Sequence, residues 1–87
     1  MEVEWDERKR RSNANKHGVD FTRVHDLNWE HALTLEQQHG DEKRFETLAP
    51  IEDRLYVLVW AQRSKKVRVI SFRKANKREV RRYVQTT

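Results

Sequence analysis

Residues 55–61, Leu55-Tyr56-Val57-Leu58-Val59-Trp60-Ala61, and residues 67–73, Val67-Arg68-Val69-Ile70-Ser71-Phe72-Arg73, decide the fold. The first run is the most apolar of the chain and is rich in β-branched and aromatic side chains, as expected of a strand buried on both faces. The polar link Arg63-Ser64-Lys65-Lys66 is short, so the two strands should pair as an antiparallel hairpin. Downstream, Asn76 followed three residues later by Glu79 has the form of a capping box. The helix it opens carries Val80, Tyr83 and Val84 on one apolar face. Upstream, residues 31–38 alternate around Leu33 and Leu35, and His39-Gly40-Asp41 separates them from a second candidate strand at 44–48. At the N-terminus an extended Val3–Trp5 leads to Asp6, which caps a polar helix ending at His17-Gly18. A shorter helix is expected from Asp20, with Phe21, Val24 and Leu27 as its apolar stripe. The expectation is an α+β domain over residues 1–87: two N-terminal helices, a four-stranded antiparallel sheet and a C-terminal helix.

At 87 residues with 36% apolar and 38% charged side chains, the chain can build one core from a few dense runs. The absence of cysteine excludes disulfides, a thiolate zinc site and a cysteine nucleophile, and fits a reducing cytoplasm. No window approaches the apolar length of a membrane span, and no membrane partner is expected. The net charge of +5 is unevenly placed. Residues 63–83 hold ten Lys or Arg against the single acid Glu79, a local net of +9. Segregation of that kind suits a polyanionic partner, above all a nucleic acid.

No metal or other cofactor is expected. The four histidines, His17, His25, His31 and His39, lack the close spacing of a helical zinc pair. No Gly-x-Ser-x-Gly elbow is present for a serine hydrolase. What remains is metal-free phosphodiester chemistry, in which an RNA 2′-hydroxyl attacks its own phosphate while the protein positions it, balances charge and moves two protons. Arginine forks suit the charge, which makes Arg63, Arg68, Arg73 and Arg82 candidate clamps. Strict alternation puts Ser71 and Arg73 on one face of the last strand and Arg68, Phe72 and Lys74 on the other, so not all can line one site. His17, as an imidazole at a helix end, is a candidate for proton transfer or serves as a helix-end residue. Tyr83 is a proton donor or a core residue, and Glu79 a cap or a base. Trp60 and Phe72 either stack on bases or pack in the core. Two alternatives are a non-catalytic basic nucleic-acid-binding module and an interaction protein whose basic face receives an acidic partner.

Glu4-Trp5-Asp6, Lys16-His17-Gly18-Val19 with Phe21, and Arg68-Val69-Ile70-Ser71-Phe72-Arg73-Lys74-Ala75 with Glu79 and Tyr83 together resemble the BrnT toxin family over nearly the whole chain. The resemblance implies a RelE-like fold, ribonuclease activity that arrests translation, and neutralisation by a BrnA-like antitoxin. It also implies contact with operator DNA only through the antitoxin complex, with two toxin chains in a heterotetramer. It singles out Arg68, Ser71, Arg73 and Tyr83. Together with the charge pattern this makes Arg68, Arg73, His17 and Tyr83 the catalytic candidates, and Arg63, Ser71, Lys74 and Arg82 the RNA contacts. The chain departs from the family pattern at Phe72, where a small residue is common, and at Ala49-Pro50, where a glycine-containing turn is typical.

Overall fold

A computed structural model describes residues 2–87. Its elements run β1 (Glu2–Glu4), α1 (Glu7–His17), two 3-10 turns (Phe21–Asp26 and Trp29–His31), β2 (Leu33–His39), β3 (Glu42–Ile51), β4 (Arg54–Arg63), β5 (Lys66–Lys74) and α2 (Lys77–Thr86). The α+β class stands, but the four-stranded antiparallel sheet does not: the sheet has five strands in the order β1-β5-β4-β3-β2 and is mixed. β1 pairs parallel with β5, Val3 opposite Val67 and Glu4 opposite Arg68. It satisfies backbone groups that a hairpin edge would otherwise leave open. Three residues are too few to show a strand period in the sequence.

The second expected N-terminal helix is also corrected. Residues Phe21–Asp26 form a 3-10 helix capped by the Asp20 carboxylate, which accepts from the Thr22 N–H. The spacing explains this, because a stripe at i, i+3, i+6 stays aligned at 3.0 residues per turn but drifts at 3.6. Phe21, Val24 and Leu27 are 0%, 0% and 6% exposed, so the stripe is fully used.

β4 is buried on both faces, as its composition requires. Tyr56 and Leu58 enter one core with Val19, Phe21, Val24, Leu27, Val69 and Phe72. Leu55 and Val57 enter a smaller one with Leu48 and Ala75, on which Leu33, Val59 and Tyr83 pack. The large core therefore fills the sheet face covered by the N-terminal segments, and the small core lies under α2. Trp60 belongs to the large core, stacked on Phe45 with centroids 4.4 Å apart and donating through Nε1 to Thr47 Oγ1 at 2.9 Å.

Both departures from the family pattern find a place here. Phe72 is fully buried and packs on the Tyr56 ring, so it fills core space. Ala49 and Pro50 lie inside β3, and the turn comes at Glu52 with φ 56°. β2 pairs with β3 only as far as Leu48, so the N–H that Pro50 lacks faces no strand on that side.

Candidate functional site

A β-bulge rearranges the candidate residues. Val59 pairs with Ser71 and Trp60 with Val69, which leaves Ile70 unpaired on β5. Side chains alternate on either side of the bulge but lose one step across it. Arg68, opposite Ala61, therefore shares a sheet face with Ser71 and Arg73, opposite Val59 and Val57. This overturns the expectation that Arg68 points away from the other two. Lys74, opposite Tyr56, does lie on the other face, with the fully buried Phe72. Arg63 pairs with Lys66 at the far end of β5 from Lys74. Eight residues of strand, roughly 26 Å, separate those two ends, so Arg63 and Lys74 cannot meet at one phosphate.

α2 crosses only part of the face that holds Arg68, Ser71 and Arg73. The crossing is fixed by a bidentate ion pair: Arg73 donates from Nη1 and Nη2 to Glu79 Oε1 and Oε2, each at 2.8 Å. Glu79 also closes the capping box, accepting from the Asn76 N–H at 2.9 Å while its own N–H donates to Asn76 Oδ1 at 2.8 Å. The Arg73 guanidinium holds the Glu79 carboxyl below its ordinary range, against the cost of burying it. Glu79 is thus a cap and a brace for Arg73. The Arg73 side chain remains 30% exposed against 10% for its partner, so the guanidinium keeps an open edge on the sheet face.

The neighbouring arginines are held in the same way. Arg68 Nη1 donates to Glu4 on β1 at 2.8 Å, and Arg82 on α2 reaches across to Glu46 on β3 at 3.3 Å. Arg44, opposite Ala61 on β3, is paired with Glu42 at 2.8 Å. The result is a set of guanidinium groups oriented by carboxylates around the open half of the sheet. Oriented arginines present planar donors to a phosphodiester without first losing side-chain freedom.

The two proton-transfer candidates are far apart. The Tyr83 hydroxyl donates to the His31 carbonyl, beside the start of β2. His17, the last residue of α1, lines an open groove of about 280 Å³ with Lys9, Ser12, Asn13, Lys16, Ile70 and Ser71 at the edge of β5. Three strand spacings, roughly 14 Å, lie between β5 and β2. His17 and Tyr83 therefore stand at opposite sides of the sheet. Ser71 joins the two parts of the site, since it sits on the arginine face and also lines the groove beside His17. Among the described residues no group of three or more His, Asp or Glu side chains converges as a metal site.

Residues 5–79 of the 87-residue chain match the model of a family described as the ribonuclease toxin BrnT of type II toxin-antitoxin systems. The chain belongs to the BrnT family. Membership carries a type II toxin-antitoxin ribonuclease toxin with an RNA target and an antitoxin partner. No curated protein matches the chain. Among the described residues no helix is long and apolar enough to cross a membrane.

Glu4 stands out in the sequence only as part of the family motif, and Arg44 and Glu46, which with it orient or flank the arginines, and Asn13, which fixes α1, were not expected at the site. Asn13 is 7% exposed on an otherwise polar helix. Its side-chain amide donates to the Phe72 carbonyl at 2.7 Å and to the Val19 carbonyl at 2.9 Å, and accepts from the Phe72 N–H at 3.1 Å. It replaces a neighbouring strand just beyond the end of β1. The only signal in the sequence was a helix with no apolar stripe to bury.

Proposed function

We propose that this BrnT-family chain is a metal-independent endoribonuclease whose reacting phosphate lies over Ser71, between Arg68 and Arg73. The observation that carries this reading is the bulge at Ile70, which turns Arg68 onto the face of Ser71 and Arg73. In the reaction the RNA 2′-oxygen attacks phosphorus, the bond from phosphorus to the 5′-oxygen breaks, and the products end in a 2′,3′-cyclic phosphate and a 5′-hydroxyl. His17, across the groove from Ser71, takes the proton from the attacking 2′-hydroxyl and delivers a proton to the departing 5′-oxygen. Arg68 and Arg73 balance the charge that gathers on the non-bridging oxygens. Arg82, with 48% of its side chain exposed, contacts a flanking phosphate. Tyr83 braces α2 through its bond to the His31 carbonyl and does not reach the phosphate. Translation arrest follows from RNA loss in the cytoplasm, and a BrnA-like antitoxin neutralises the toxin by covering this face.

Expression in a bacterial host tests the reading. Wild type should arrest growth, and Arg68→Ala should relieve the arrest while remaining folded by circular dichroism. Full toxicity of a folded Arg68→Ala variant would remove Arg68 from the site.

A further inference from the structure

α1 breaks the usual rule for a helix packed on a sheet. The stripe Lys9, Ser12, Asn13, Lys16, at i, i+3, i+4 and i+7, faces β5, where an apolar stripe is expected. Only Asn13 in that stripe is buried, and it is bonded to backbone. The two lysines flank the groove that ends at His17 and Ser71. Neighbouring acids make no ion pair with them: Asp6 caps the backbone of α1, and Glu7 and Asp20 are both taken by Arg10. Neither Lys9 nor Lys16 has an ion-pair partner among the described residues. A recess lined by two unpaired ammonium groups, two hydroxyls and an imidazole, with no carboxylate among its lining residues, has the chemistry of an anion site. At about 280 Å³ it is smaller than most pockets for drug-sized ligands and suits a single sugar-phosphate unit.

Resting on the ribonuclease reading above, we propose that the groove between α1 and β5 is a second phosphate subsite, which grips the RNA backbone one unit away from the cleaved bond. Ser71 lies where the groove opens onto the arginine face. A single strand lying over Arg68 and Ser71 would therefore lead its next phosphate between Lys9 and Lys16. The lysines give up burial of an apolar stripe and in return hold the strand in one register on the site.

The test uses a short single-stranded RNA blocked by 2′-O-methyl groups, with affinity measured by fluorescence anisotropy over a series of salt concentrations. Removing one phosphate contact from a single strand should flatten the log–log salt dependence by about 0.7. The Lys9→Ala/Lys16→Ala protein should show that change, with roughly tenfold weaker binding at low salt. Lys9→Arg/Lys16→Arg should stay close to wild type. Lys43→Ala/Arg54→Ala removes the same charge outside the basic segment and should leave the slope unchanged. An unchanged slope in the Lys9→Ala/Lys16→Ala protein, or an equal change in the Lys43→Ala/Arg54→Ala control, would overturn the subsite while leaving the ribonuclease reading intact. Failure of the wild type to bind the RNA at all would overturn both.

Discussion

Phe72 and Arg73 are neighbours on β5, yet each holds a different helix and by a different kind of bond. Phe72 holds α1 through its backbone, which exchanges two hydrogen bonds with the buried amide of Asn13. Arg73 holds α2 through its side chain, in a charged pair with Glu79 that is partly open to solvent. The first anchor is neutral and sealed in the molecule. The second stands at the rim of the open sheet face, where a phosphate would meet it. One strand therefore separates support from chemistry by a single residue step, and Arg73 has a share in both.

The largest expected effect comes from breaking the neutral anchor. Asn13→Ala removes three hydrogen bonds and leaves the Phe72 N–H and two carbonyls without partners. A loss of about 3 kcal/mol is expected in urea unfolding. A loss well under 1 kcal/mol would mean that α1 is held by something other than this amide.

The charged anchor should cost less and respond to pH. Glu79→Gln keeps a side chain able to cap Asn76 but removes the ionic half of the pair with Arg73. About 2 kcal/mol is expected at neutral pH, below the range for fully buried pairs because Arg73 is partly exposed. The Glu79 carboxyl is held below its ordinary range in the fold, first by Arg73, so its contribution is complete above the unfolded-state value. The contribution fades as pH falls through the lower folded-state value. The gap between wild type and Glu79→Gln should therefore close in acid, while the gap between wild type and Asn13→Ala stays level. Parallel pH profiles for the two variants would dissolve the distinction between the anchors.

A smaller effect tests the end of α1. Gly18 adopts φ 71° and its N–H donates to the Ala14 carbonyl. An added Cβ would meet nothing within 4 Å, so the cost of Gly18→Ala is backbone strain alone. Roughly 1 kcal/mol is expected from thermal melting. If α1 frays, His17 should lose its position beside Ser71 and RNA cleavage should fall by more than stability does.

The two anchors also mark how far the sequence could be read. The Asn76–Glu79 capping box and the β4–β5 hairpin were legible because each lies within a short span, where residue type and spacing are the cause. Glu79 was readable as a cap but not as the brace for Arg73, which depends on where α2 crosses the sheet. Asn13 meets Phe72 across 59 positions, so nothing local announces it. The bulge at Ile70 was hidden in a run that alternates well enough to pass for a regular strand. It decided which arginines share a face, so the expectation that Arg68 lies on the opposite face from Ser71 and Arg73 was wrong. Likewise, β1 was visible as an extended entry, while its parallel partner was not.

The most direct measurement is incubation of the purified protein with end-labelled RNA in EDTA, with and without ribosomes, alongside folded Arg68→Ala. Cleavage by the wild type, loss of cleavage in the variant, and products ending in 2′,3′-cyclic phosphate and 5′-hydroxyl are expected. Intact RNA under both conditions would instead make this face a binding surface without catalysis, and 5′-phosphate ends would contradict attack by the 2′-hydroxyl.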